Sequence, residues 1–215
     1  MDLNNFATTC RKIIGIGLNY KKTIAELNIL TPQLPVLFLK STSSIIKEGQ
    51  VIKIPPGCID VNYEVELGVI IGQSGADILE ENALNHIGGY ALILDMTSGS
   101  HLSFVREKSL PWCIAKNWDT FCPVSDFIPK EAIKNPDDVN LWLTVDGEMK
   151  QSESTSDMLF SVAKLISYTS QVMTLERGDL ILTGTPNGVG PVKAGQIIEC
   201  GIKGIKQMKF LVENK

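Results

Sequence analysis

The sequence predicts an α+β protein that is mainly β, with a few short helices. Short apolar runs rich in β-branched residues recur along the chain. Only one long stretch carries apolar residues at helical spacing. Strands and helices also fail to alternate regularly, as a doubly wound fold would require.

Taken in order, the strand-like runs are KIIGIG (12–17), VLFLK (36–40), QVIKIP (50–55), VELGVII (65–71) and YALILD (90–95), followed by LWLTVDGEMKQ (141–151), GDLILTG (178–184), QIIECGI (196–202) and KQMKFLV (206–212). Within them VDGE (145–148) predicts a hairpin, because Asp-Gly suits a type I′ turn. KAGQ and ERGD predict further turns ahead of strands. ILEENALNHI (78–87) predicts a short helix with an acidic first turn, and SDMLFSVAKLISYTSQVM (156–173) a longer one with Ser156 as N-cap.

The 215 residues hold no repeat, low-complexity tract or linker, so one domain over 1–215 is expected, with residues 1–10 as its lead-in. A net charge of −4 without a basic cluster argues against nucleic acid as partner, and KEGQVIK and GIKGIKQMK read as solvated strand edges. Cys10, Cys58, Cys113, Cys122 and Cys200 are odd in number, widely spaced and without a C-x-x-C pair. They read as reduced thiols of an intracellular protein. His86 and His101 are too few for a histidine-rich metal site. No apolar run approaches a membrane span, and MDLNNFATTCRK is neither a secretory signal nor an arginine-rich presequence. The expected compartment is cytoplasmic, with a mitochondrial one left open. TGTPNGVGPVK (183–193) is glycine-rich but lacks the spacing of a phosphate cradle, and reads as a turn.

YEVELG (63–68) places Glu64 and Glu66 on one face of a strand, since residues i and i+2 point the same way. On a solvated face the pair is ordinary, and spacing alone favours that reading. In a cleft the two carboxylates repel unless positive charge lies between them, and a divalent cation is the usual solution.

YEVELGVIIG (63–72), GGYALILDMT (88–97) and LERGDLILTGTPNGVGPVKAGQ (175–196), with RKIIGIGLNY (11–20), PVLFLKSTSSI (35–45), LPWCIAKNWDTFCPVS (110–125) and the DGEMKQ hairpin, together resemble the fumarylacetoacetate hydrolase family. The likeness is closest to its short acylpyruvase and oxaloacetate-decarboxylase branch. It implies a mixed β-sheet roll like the fumarylacetoacetase C-terminal domain, usually in a homodimer, acting on small 2-oxo acids. It also implies Mg²⁺ or Mn²⁺ held by Glu64, Glu66 and Asp95, a set of hard oxygen donors that suits such an ion and leaves positions open for substrate. Lys116 matches the family lysine that adds positive charge near a developing anion, and Thr185 the residue that contacts the substrate carboxylate or oxo group. Glu26 matches the glutamate that activates a hydrolytic water together with a histidine three residues earlier.

The chain departs from that pattern. Thr23 stands at the histidine position, Gly99, Ser100 and Leu102 at an Arg, an Asp and a Gln position, and Leu18 where the acylpyruvase branch often has arginine. His101 is a displaced histidine, more simply incidental than a substitute base. Two readings follow. One is a metal-dependent enzyme of 2-oxo acids that cleaves a C–C bond or converts keto and enol forms, with hydrolysis weakened. The other is a catalytically impaired metal-binding paralogue with a regulatory or structural role.

Overall fold

The computed structural model describes residues 2–215 and is mixed α+β with sheet predominating. The largest sheet orders its strands as Val36–Lys40, Ile13–Gly17, Leu180–Leu182, Val65–Ile71, Ile87–Leu94, Cys122–Val124 and Ile45–Lys47, with Ile128–Pro129 pairing on Ile87–Leu94. A second sheet runs Glu148–Ser154, Asn140–Val145, Ile197–Ile202, Lys206–Asn214 and Ile52–Ile54. A small third sheet joins Gly190–Val192, Val61–Tyr63 and Thr97–Ser98.

The central strand Val65–Ile71 is buried throughout. Val65, Leu67, Val69 and Ile71 enter the larger core with Leu92, Leu143 and Phe210, whereas Ile70 joins Phe6, Ile13, Ala91, Ile93 and Leu180 in a smaller core on the opposite face. Period-two alternation therefore puts Glu66 on the side of the smaller core, at the end of its strand. Phe6 is fully buried there, so the N-terminal lead-in packs as part of the fold.

The Asp-Gly hairpin is borne out: Asp146 and Gly147 both have positive φ, at 51° and 82°. The helical expectations need correction. ILEENALNHI forms a 3-10 stretch over Glu80–His86. The long helix runs Val162–Val172, and its N-cap is Ser161, whose hydroxyl accepts from Lys164 N–H at 3.2 Å, not Ser156. Ser156 lies in the 3-10 turn Thr155–Asp157. Sequence reading also passed over the helices Lys21–Leu27 and Gly99–Glu107, which frame the cavity described next.

Candidate functional site

A cavity of about 290 Å³ opens between these two helices and the ends of the central strands. Glu64, Glu66 and Lys116 line its closed end. Glu64 falls at the break between Val61–Tyr63 and Val65–Ile71, and Asp95 follows directly on Ile87–Leu94. The two chain segments are neighbours in the sheet, with Asp95 N–H donating to Glu64 C=O at 2.9 Å. Register thus delivers Asp95 beside the glutamate pair. One oxygen from each of Glu64, Glu66 and Asp95 lies within 4.8 Å of the others. Glu66 is 1% exposed, so the solvated-face reading of the pair is overturned.

The counter-charges are two buried lysines. Lys116 Nζ donates to Glu64 Oε2 at 3.0 Å, Asp95 Oδ2 at 2.5 Å and Thr97 Oγ1 at 2.7 Å. Lys40 Nζ stands 2.7 Å from Asp95 Oδ1 and donates to the carbonyls of Lys116 at 2.6 Å and Met96 at 3.2 Å. The Lys40–Asp95 contact is an ion pair rather than a well-angled hydrogen bond. Burial works against the charged form of Asp95, but Lys116 and Lys40 override it and hold the carboxyl below its usual range. Burial likewise disfavours charge on Lys116, and Asp95 and Glu64 outweigh it, so the ammonium is held charged.

Glu66 lacks such a partner. Among the described residues it has no ion pair, and Oε2 accepts one backbone bond, from Gly184 N–H at 2.7 Å. Gly184 can aim that N–H because its φ is +96°, where a side chain would be strained. Burial first, then Asp95 and Glu64, push Glu66 well above the ordinary carboxylate range. Burial also raises Glu64, against the pull of Lys116. A buried carboxylate forced towards its neutral form, beside two others, is a position that a divalent cation would relieve. The donor set fits Mg²⁺ or Mn²⁺.

The other predicted residues lie higher in the cavity. Thr185 lines it, but its hydroxyl donates to Val65 C=O at 2.9 Å and accepts from Gln151 Nε2 at 2.9 Å. Thr23 is buried, its hydroxyl donating to Thr185 C=O at 3.2 Å. Glu26 is exposed at the rim and accepts from Gly188 N–H at 3.2 Å. Of the departures named above, Leu18, Thr23, Gly99 and Leu102 line this one cavity and Ser100 does not. His101 does not; its Nδ1 sits 2.7 Å from Ser98 Oγ, beside Trp118.

Sequence reading missed Lys40, Gln151, Asp60 and Arg106. Lys40 had a usable signal, a lone charge closing the apolar run VLFLK much as Asp95 closes YALIL. Gln151 is 1% exposed and ties Val65 N–H, Thr185 and Pro186 C=O together. Asp60 Oδ1 accepts from Ser100 N–H at 2.7 Å, capping the helix Gly99–Glu107 from another segment.

The family model that matches the chain is described as fumarylacetoacetate (FAA) hydrolase C-terminal and spans residues 12–213. A mitochondrial oxaloacetate decarboxylase from Dictyostelium discoideum is 51% identical over 204 residues, covering 94% of both chains. A mitochondrial oxaloacetate tautomerase from Arabidopsis thaliana is 48% identical over 204 residues, covering 95% of this chain and 92% of that one. Among solved structures, a fumarylpyruvate hydrolase from Pseudomonas aeruginosa in complex with Mn²⁺ and pyruvate superposes with a TM-score of 0.90 at 31% identity, covering 96% of this chain and 91% of that one.

Proposed function

This chain belongs to the fumarylacetoacetate hydrolase family, and from that premise we propose that it acts on oxaloacetate, by decarboxylation or keto–enol conversion, in preference to hydrolysing acylpyruvates. The observation that carries this reading is the cavity's composition. Glu64, Glu66 and Lys116 line its closed end, with Asp95 beside them and bonded to Lys116, while among the described residues no histidine lines it.

Glu64, Glu66 and Asp95 would hold Mg²⁺ or Mn²⁺, which when bound supplies Lewis-acid polarisation of a 2-oxo acid's carbonyl. Lys116 keeps its charge through Asp95 and Glu64, and so offers positive charge at the closed end as electrons move onto the substrate's oxo oxygen. Lys40 and Thr97 fix where that charge stands, because Lys40 occupies the far oxygen of Asp95 and Thr97 takes a bond from Lys116 Nζ. Thr185, pinned by Gln151, presents its oxygen to the cavity wall as a substrate contact.

Loss of CO₂ from a 3-carboxy-2-oxo acid, or enolisation of the same acid, requires no attacking water. Hydrolysis of an acylpyruvate does, and the residue beside Glu26 on the cavity wall is Thr23, an alcohol far too weak a base for neutral pH. General-base catalysis commonly supplies roughly 10²–10⁴-fold, so hydrolysis is expected to fall by about that factor. The names of the relatives support a mitochondrial compartment, against the cytoplasmic expectation. Among the described residues no helix is long and apolar enough to cross a membrane.

The test is an assay of the purified protein with Mg²⁺ against oxaloacetate and acetylpyruvate, each corrected for a metal-only blank. Pyruvate release reports decarboxylation, and loss of enol absorbance without pyruvate reports tautomerisation. Oxaloacetate is expected to be the better substrate, with Lys116→Met slowing it by about 10²-fold or more. Faster hydrolysis of acetylpyruvate would overturn the proposal.

A further inference from the structure

Gly99, Leu102, Ser103 and Arg106 all line the cavity, an i, i+3, i+4, i+7 set that forms one face of the helix Gly99–Glu107. Arg106 and Lys116 are the cations among the lining residues, set against Glu26, Asp60, Glu64 and Glu66. Lys116 is engaged on all sides by Glu64, Asp95 and Thr97. Arg106 makes no hydrogen bond and no ion pair among the described residues; its contact is the face of Trp112, with the guanidinium carbon 5.0 Å from the ring centre. Trp112 in turn packs 5.5 Å from Phe38, whose ring lies 4.8 Å from Lys116 Nζ. An aromatic pair therefore separates a committed cation from an uncommitted one.

A mostly acidic cavity repels any dianion unless a cation awaits the charge not taken up at the closed end. The planar guanidinium fork matches a carboxylate with two parallel hydrogen bonds, and stacking on Trp112 restricts its orientation beforehand. Burial lowers the pKa of Arg106 while Glu64 raises it, and an arginine stays charged throughout the neutral range.

We propose that Arg106 anchors a second carboxylate of the substrate, so that the cavity selects four-carbon dicarboxylates over monocarboxylates of the same type. This rests on the reading of the cavity as a 2-oxo acid site. Arg106 acts here as a specificity determinant supplied from two helical turns beyond Gly99, where the helix itself offers no side chain.

The experiment is calorimetric binding to the Mn²⁺-loaded protein with two probes that involve no turnover. Pyruvate carries the oxo acid end alone, and L-malate carries two carboxylates on a four-carbon skeleton. Arg106→Leu should weaken malate roughly 10- to 100-fold, the range set by charge-assisted hydrogen bonds, and leave pyruvate within about twofold. Arg106→Lys should recover part of the loss for malate. Arg106 is exposed on its helix, so both variants are expected to melt with the wild type. Equal weakening of both probes by Arg106→Leu, or weakening of neither, overturns the role of Arg106 alone. Failure of the wild type to bind malate while it binds pyruvate overturns the selectivity. Failure of the wild type to bind pyruvate overturns the 2-oxo acid site and the anchor together.

Discussion

At Glu66 burial and charge pull in opposite directions: the side chain is sequestered at 1% exposure, yet among the described residues no cation is bonded to it. Glu64, Asp95 and Lys116 were legible through the family resemblance, because each lies in a short contiguous motif, whereas the spacing of Glu64 and Glu66 alone pointed to a solvated face. Gln151, Asp60 and Arg106 were not legible, because register and crossovers bring them in from separate segments and no local period records that, whereas Lys40 had a local signal that went unused. The cysteines follow from burial alone. Burial pushes Cys10 and Cys122 up to about 12, and Cys200 well above its ordinary value. Cys113 is exposed and Cys58 half-buried. A thiol reagent at pH 8 should therefore label Cys113 quickly and Cys58 slowly, and reach the other three only in denaturant. Rapid native labelling of Cys200 would contradict the packing of the second sheet.

Among the elements, strands were read better than helices. VLFLK and VELGVII match their observed strands end to end, since aliphatic and β-branched residues dominate both and each carries a single charge, Lys40 and Glu66. The short strands Thr97–Ser98 and Gly190–Val192 escaped notice, as two or three residues carry no period. The long helix begins at Ser161 because residues 155–158 are drawn into a 3-10 turn, with Thr155 bonded to Val139 N–H and Pro136 C=O. Ser161→Ala should cost about 1 kcal/mol in denaturant unfolding, and Ser156→Ala much less. The helix Gly99–Glu107 constrains any attempt to restore an arginine at its start. A Cβ on Gly99 would lie 2.2 Å from Asp60 Oδ2 and 2.7 Å from Asn62 Nδ2. Gly99→Arg must therefore displace Asp60 from Ser100 N–H, and is expected to lower stability by roughly 0.5–2 kcal/mol, the worth of a lost cap. Asp60→Ser in the same chain should return part of that stability by making room. An unchanged melting curve for Gly99→Arg would show that Asp60 does not cap this helix.

For the whole molecule, the buried phenols set its tolerance of alkali. Burial, with a smaller contribution from Asp137, raises Tyr90 from 10.0 to about 12, and burial raises Tyr20 well above its ordinary value. Above pH 10 the unfolded chain loses phenolic protons that the folded chain keeps, so stability is full below that pH and falls as pH climbs through the raised values. A melting temperature that begins to drop only beyond pH 10 is the expected profile. We also propose a two-fold homodimer: Leu39, on the edge strand Val36–Lys40, and Ile114 are 52% and 46% exposed apolar side chains on one chain. Light scattering should give about twice the 23.5 kDa of one chain, and that single-chain mass at micromolar concentration would contradict it. The metal site reports on the same cooperative unit. A ligand that binds only the folded state, at a hundredfold excess over its Kd, stabilises it by about 2.7 kcal/mol. Thermal unfolding with and without millimolar Mn²⁺ is therefore the most direct test of the three-carboxylate centre. The melting temperature of the wild type should rise by several degrees and that of Glu66→Ala should not move; equal shifts in the two proteins, or none in either, would contradict the centre on which the proposed chemistry depends.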